Sequence, residues 1–299
     1  MRKKRRRRLK LANLALVIGV AVLTVTLIVG MVIPIRQTIL SNNFENAVNA
    51  SSLTSPTNTN GVIEEMKTQM LDNWQQEATE KGIFEQIPKR FQGVTLNSVK
   101  LNQSEKVIAL TFDDGPWPKY TDKILDILKQ NDVKGTFFVI GRNLQNFPDI
   151  GKRIVTDGHT IANHTWHHWY HKLSPKATAF EIDATADLIY KTTGVRTTLF
   201  RPPGGVLSNG PARYASDKKY SVIMWSADSI DYKRPAASRL LSNVMRASKP
   251  GGIVLMHDGG GVRDRTVEAL PQMIKTFRKQ GYRFVTIPEM LELQDKELA

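Results

Sequence analysis

Downstream of residue 105 the chain alternates short apolar runs with longer stretches in which apolar residues return every three or four positions. The short runs predict strands at 107–112, 135–140, 159–162, 197–200, 220–226, 252–256 and 283–287. The longer stretches predict helices at 120–130, 147–156, 175–193, 211–218, 236–248 and 264–280. Ser174-Pro175 has the form of a helix start, an N-cap followed by proline at the first helical position. Gly158, Gly194 and Gly281 sit where helices should stop. Seven strands separated by helices favour a parallel sheet, open or closed into a barrel. No internal repeat is visible.

Upstream the pattern is different. Residues 11–35 ("LANLALVIGVAVLTVTLIVGMVIPI") carry no charge and are interrupted only by Asn13, Thr24 and Thr26. As a helix they would span roughly 35 Å, enough for a hydrocarbon core of about 30 Å. No small-x-small cleavage site follows, which predicts an uncleaved transmembrane signal anchor in preference to a removable signal peptide. Residues 37–60 are rich in Asn, Ser and Thr and read as a spacer. At 61–82, Ile63, Met66, Met70 and Trp74 form a helical stripe suited to packing. The whole of 36–104 is taken as a linker containing that helix, with 83–104 irregular.

Composition changes this picture in two places. The formal net charge of the 299-residue chain is +14, but residues 1–10 ("MRKKRRRRLK") hold much of it. A basic tail before an apolar span sets topology and meets anionic lipid head groups. The expectation is a single-pass membrane protein with its N-terminus in the cytoplasm and the folded part outside. A nucleic-acid role for the tail is thereby set aside. There are no cysteines, which excludes disulfides, thiolate metal sites and a Cys nucleophile.

Chemistry-bearing side chains fall at the C-terminal ends of the predicted strands, the rim where α/β barrels build active sites. Asp113 and Asp114 follow the first strand, and His164, Thr165 and His168 the third. Arg201 follows the fourth, Asp228 and Asp231 the fifth, and His257 and Asp258 the sixth. Each alone has an ordinary reading as a turn, cap or surface residue. Together they assemble a site. His164 and His168, four apart, present both rings to one side. Two imidazoles and one carboxylate make a three-ligand site with an open position, as catalytic zinc requires. Asp113 or Asp114 supplies that carboxylate, and the other is free to take a proton from water. His257 can stand opposite as an acid, oriented by a buried Asp, while Arg201 holds the base carboxylate ionised. "HDGGG" lacks the lysine and hydroxyl pattern of a phosphate loop, so nucleotide binding is excluded.

"TFDDGP", "HTWHH", "RPPGG", "WSADSIDY" and "LMHD" resemble, in order and spacing, the motifs of the polysaccharide deacetylases (NodB homology, carbohydrate esterase family 4). The resemblance runs from about residue 106 to 290 and places a NodB-like domain at 105–292. It implies a deformed, incomplete (β/α)7–8 barrel that hydrolyses N-acetyl groups of an N-acetylhexosamine polymer with a divalent metal. Zn²⁺ is the default, and Co²⁺, Mn²⁺ or Fe²⁺ suit the same ligands. By the same resemblance Asp113 is the base, Asp114, His164 and His168 are the metal ligands, and His257 is the acid. Arg201 then pairs with the base, and Asp231 orients the acid.

Two positions depart from the family. Gly204 stands where an aromatic residue, often Tyr, is usual, yet it keeps the backbone N–H expected to face the oxyanion. Tyr232 stands where Trp is usual. Trp117, Trp166, Tyr232 and Leu255 are the candidate substrate contacts, with Trp169 also near the mouth. His159 reads as structural, His167 and His171 as solvent- or groove-facing, and Trp225 as core. The leading expectation is a membrane-anchored deacetylase of a cell-envelope glycan, peptidoglycan first. Chitin oligomers, exopolysaccharide or an O-acetyl ester are the alternative substrates, and a non-catalytic glycan-binding wall protein is the alternative class. The five-residue set Asp113, Asp114, His164, His168 and His257 argues against that last reading. The patterning assigns no oligomeric state.

Overall fold

A computed structural model of the protein describes residues 87–101 and 106–299. The expected basic tail, membrane anchor, spacer and helix at 61–82 lie outside the described residues. Among the described residues no helix is long and apolar enough to cross a membrane.

The elements run β1 (Thr95–Leu96), β2 (Val107–Asp113), α1 (Tyr120–Gln130), β3 (Thr136–Val139), α2 (Gly141–Asn146), α3 (Pro148–Thr156), β4 (Thr160–Asn163), α4 (Pro175–Thr193) and β5 (Leu199–Phe200). They continue with α5 (Pro211–Asp217), β6 (Ser221–Ile223), β7 (Ala227–Asp228), α6 (Ala237–Ala247), β8 (Gly252–His257), α7 (Asp264–Lys279), β9 (Arg283–Phe284) and α8 (Ile287–Glu297). The strands pair in parallel in the order β1-β6-β5-β4-β3-β2-β8-β7, with β9 also on β2. This is the incomplete α/β barrel expected from the sequence, a curled parallel sheet.

Its curl follows from connectivity. β6 and β7 lie near opposite ends of the strand order, yet only Met224, Trp225 and Ser226 separate them in the chain. Three residues reach no further than about 14 Å between the flanking Cα atoms, so the sheet must bend until its two flanks nearly meet.

Central strand β2 shows how the bend divides the core. All seven of its residues are buried, and a strand points alternate side chains to opposite faces. Ile108, Leu110 and Phe112 enter the layer between sheet and helices with Ile124, Leu128, Met273 and Phe277. Val107 and Ala109 enter the inside of the curl with Phe138, Leu199 and Ile253. Thr111 and Asp113 share that inner parity. The strand is apolar where it meets helices and becomes polar only where the inside opens at its C-terminal end.

Several elements differ from expectation. Residues 87–101, placed in the linker by the sequence, belong to the packed body. Ile87, Phe91 and Val99 join the inner core, and β1 pairs with β6. A two-residue strand held by distant partners leaves no periodic trace. The expected strand 220–226 is split by the flank-to-flank crossing. The expected strand 283–287 ends at Phe284, because Thr286 and Glu289 form a reciprocal capping box that starts α8, with Pro288 in its first turn.

Phe137 is fully buried and stacks on Phe112 with ring centroids 4.9 Å apart. Phe137→Ala is expected to lower unfolding stability by about 3–5 kcal/mol, measured by denaturant titration; a loss under about 1 kcal/mol would show that this stack is not a core contact.

Candidate active site

The site lies where the inner face of the sheet ends. Register places Asp113 of β2 beside His257 of β8, and both line a cleft of about 590 Å³ with Asp114, His164, His168 and Leu255. Asp114 follows β2 with φ 75°, a left-handed turn that separates it from its neighbour in direction. Asn143 of α2 donates to its carbonyl at 2.8 Å. Gly259 and Gly260 pack directly against it: a Cβ at Gly260 would lie 2.6 Å from Asp114 Oδ2. The glycine run in "HDGGG" therefore serves close approach to an aspartate.

Asp113 meets Arg201. The guanidinium is completely buried and donates through Nη1 to Asp113 Oδ1 at 2.7 Å and to Thr111 Oγ1 at 2.8 Å. Its Nε and Nη2 donate to the Ile223 and Met224 carbonyls, and the Phe138 ring lies 4.1 Å away. Burial presses the Arg201 pKa below its usual range, and the Asp113 charge and hydrogen bond oppose that.

The His164 ring is buried, and its Nδ1 lies 2.7 Å from the Arg201 carbonyl oxygen. A carbonyl only accepts, so Nδ1 carries the hydrogen and Nε2 keeps its lone pair. Burial, reinforced by His168, pushes the His164 pKa down to about 4 against the pull of the carboxylates, so the ring is neutral near pH 7. Its Nε2 lies 3.6 Å from Asp114 Oδ1 and 3.7 Å from Asp113 Oδ2. His168 Nε2 lies 3.1 Å from Asp114 Oδ1. The loop carrying the two histidines has left-handed residues at Thr165 and His168. It is pinned by the buried Glu181 of α4, which accepts the backbone N–H groups of Trp166 and His167 and pairs with the His167 ring.

One donor atom each from Asp114, His164 and His168 lies within 4.8 Å of the others. Asp114 Oδ1 is buried and satisfied by no hydrogen bond. Although burial raises the Asp114 pKa, the two histidines outweigh it and hold the carboxyl well below its usual range. A buried anionic oxygen with no donor, facing two imidazole nitrogens, fits a divalent cation.

Across the cleft, Asp231 accepts from the His257 ring (Nδ1–Oδ1 2.6 Å), from the His257 backbone N–H at 2.8 Å and from Thr266 Oγ1 at 2.8 Å. Burial pushes the His257 pKa down, but Asp231 prevails, aided by Asp113 and Asp114, and the result is about 9. Tyr232 packs edge-on against His257 with centroids 5.8 Å apart, as the usual Trp could. Gly204 lines the same cleft.

The catalytic and ligand candidates thus converge, whereas two of the substrate candidates do not. Trp166 turns inward against Gly141 and packs on Phe180; Trp117 meets Phe147 outside the cleft lining. Glu181 holds the Trp166 backbone with the ring on the helix side. Trp225, read as core, packs against the inner cluster and also lines the cleft. Tyr170, Arg234 and Arg263 line it as well without having been singled out; the aromatic run "WHHWY" was the available signal for Tyr170. His159 is structural as expected, with its Nδ1 accepting the Gly135 N–H at 3.1 Å. His167 stacks on Trp169, which also meets His171.

Comparison with known proteins places this geometry. The family model of polysaccharide deacetylases matches residues 100–223. A peptidoglycan-N-acetylglucosamine deacetylase of Bacillus cereus is 38% identical over 190 residues, which cover 63% of this chain and 89% of that protein. The peptidoglycan-N-acetylmuramic acid deacetylase PdaC of Bacillus subtilis is 34% identical over 218 residues, 73% of this chain and 45% of that protein. A crystal structure of a peptidoglycan N-acetylglucosamine deacetylase superposes with TM-score 0.63 at 36% identity, covering 67% of this chain and 94% of that one. A Bacillus anthracis pseudoenzyme of the CE4 family superposes with TM-score 0.61 at 34% identity, covering 67% and 69%. A pseudoenzyme so similar means that the fold alone does not carry activity.

The donor set predicts one tightly held divalent cation. Removing a ligand costs more than the 10–100-fold of an outer partner, so Asp114→Asn and His164→Ala are expected to weaken Zn²⁺ affinity by at least about 100-fold in isothermal titration. Asp113→Asn should keep affinity within roughly the outer-partner range; loss of the metal from Asp113→Asn but not from Asp114→Asn would exchange the two assignments.

Proposed function

We propose that this chain, which belongs to the polysaccharide deacetylase family, removes N-acetyl groups from peptidoglycan. The observation that carries the proposal is the intact convergence of Asp113, Asp114, His164, His168 and His257 on one cleft, read with the peptidoglycan deacetylases among its relatives. Enzymes of the family depend on a metal, and Asp114, His164 and His168 are the residues to hold it here, with Zn²⁺ the first choice. When bound, the cation supplies Lewis acidity toward the amide carbonyl and a lowered pKa for water.

The chain's own residues then divide the work. Asp113 takes the proton of the attacking water, and Arg201 holds that carboxylate in place through the 2.7 Å ion pair. The Gly204 N–H faces the carbonyl oxygen as negative charge develops on it. His257 gives its Nε2 proton to the sugar nitrogen as the carbon–nitrogen bond breaks, leaving acetate and a free amine. Asp231 holds Nδ1–H and stabilises the cationic ring. Leu255 and Tyr232 line the cleft next to these groups and are the side chains to receive the acetyl group. The apolar stretch 11–35 and the basic residues before it support a membrane anchor with the catalytic body outside the cytoplasm, next to its substrate.

Two measurements test this. Purified protein should release acetate from N-acetylated peptidoglycan, and a strong chelator should abolish the release. Undiminished activity in chelator, or acetate from chitin oligomers with none from peptidoglycan, would overturn the assignment.

The pH profile tests the acid. A His257 pKa above the imidazole value keeps the donor protonated below it, so kcat should fall along an alkaline limb that lies above the ordinary imidazole value and no higher than about 9. A cation on Asp114 offsets the carboxylates' share and moves that limb lower. Asp231→Asn removes the leading cause of the rise and should shift the alkaline limb at least one unit further down, by roughly the scale of one strong charge partner. An unmoved limb would mean that His257 is not the titrating acid.

A further inference from the structure

We propose that Tyr170 is a positioning residue for Gly204, replacing from another loop the side chain that "RPPGG" lacks; the inference rests on the deacetylase reading above. Gly204 and Gly205 both adopt left-handed backbone, φ 58° and 70°, a conformation open to glycine and strained for other residues. Pro202, Pro203 and a 3-10 turn closed by the Gly205 N–H on the Pro202 carbonyl (3.0 Å) and the Val206 N–H on the Pro203 carbonyl (3.2 Å) shape the segment, but glycines carry no side chain, so lateral support for the pair has to come from other loops.

The structure supplies two rings that do so. A Cβ on Gly204 would lie 2.6 Å from Tyr170 Cε1 and 3.0 Å from Cδ1. A Cβ on Gly205 would lie 2.8 Å from Trp225 Cη2. The glycine pair is therefore in van der Waals contact with an aromatic ring at each residue. Both rings line the cleft with Gly204. Tyr170 is anchored by its backbone: Asn209 Nδ2 donates to its carbonyl at 3.4 Å, and the Leu173 N–H donates to the Asn209 carbonyl at 3.0 Å. Its ring also stands edge-on to His168, 5.0 Å between centroids. One aromatic side chain thus spans from a metal-ligand candidate to the oxyanion-donor candidate. Trp225 is half-buried against the inner core, but Tyr170 is 57% exposed. An exposed aromatic whose contacts are a ligand ring and a glycine backbone is placed for the site rather than for the core.

Loss of the ring should leave metal binding in place and let the Gly204 N–H wander from its aim. Removing an oxyanion donor outright costs about 10²–10³ in kcat, so misaiming one should cost about 10-fold. In the full-length protein, Tyr170→Ala is expected to lower kcat for acetate release about 10-fold, with KM changed less and Zn²⁺ affinity and Tm near wild type. Tyr170→Phe, which keeps the ring, should restore kcat. Gly204→Ala should cost activity, and less so in the Tyr170→Ala background, because the clash is then gone. A readout independent of turnover is the mobility of the Gly204 backbone: its ¹⁵N relaxation order parameter should fall in Tyr170→Ala and stay near wild type in Tyr170→Phe.

No acetate from the wild-type protein would strike the deacetylase reading. Acetate from the wild type with kcat unmoved by Tyr170→Ala would strike this proposal alone. It would also fall if the Gly204 order parameter were the same in both Tyr170 variants, or if Tyr170→Ala lost Zn²⁺ affinity in step with kcat, which would make Tyr170 a support for His168 only.

Discussion

A guanidinium with no access to water governs this molecule. An isolated buried charge costs many kcal/mol, and Arg201 is tolerated because it is paired and hydrogen-bonded at all three of its nitrogens. Asp113 neutralises it, Thr111 and the carbonyls of Ile223 and Met224 take three more of its five hydrogens, and the Phe138 ring lies against it. These partners come from β2, β3 and the segment leaving β6. The side chain thus fixes the spacing of strands on both sides of the curl while it orients the reactive carboxylate. Stability and chemistry cannot be separated here, since deleting either partner strands the other.

The same residue types are driven to opposite states across the cleft. Burial holds His164 neutral, whereas Asp231 holds His257 protonated. One imidazole keeps a lone pair and the other keeps a proton, which is how environment divides acid from ligand. A third carboxyl beneath the site, Asp258, is raised to about 7 by burial and by the charges of Asp114 and Asp113, against a 2.6 Å hydrogen bond from Thr121. Below neutrality it is largely protonated and adds little negative charge to the pair above it.

Much of this was legible in the sequence for a physical reason. Apolar residues at helical spacing, and strands of continuous apolar residues, carry local signals: α1 matches its predicted range on its stripe alone, and α4 matches with Pro175 at its start and Gly194 at its end as well. Polar residues at five strand ends are legible because parallel strands deliver their C-terminal ends to one rim. What long-range contacts decide was not legible. β1 exists through its pairing with β6, and the break between β6 and β7 exists because the sheet bends. The side to which Trp166 turns is set by Glu181, fifteen residues on. Tyr170 acquires its place only when two distant loops meet. The Thr286–Glu289 capping box, by contrast, is a local signal that prevails over the apolar residues around it and ends the strand at Phe284.

The three-residue crossing from β6 to β7 makes the barrel's gap behave as a clasp. The two flanks are held near each other by covalent chain as well as by hydrogen bonds, since the Met224 N–H reaches the Leu96 carbonyl on one flank and the Ser226 N–H reaches the Ile253 carbonyl on the other. Exposed connections such as the one at Ser226 ordinarily accept new chain termini. This one should not: a circular permutant opened there would release both flanks at once and take from Arg201 the carbonyl of Met224.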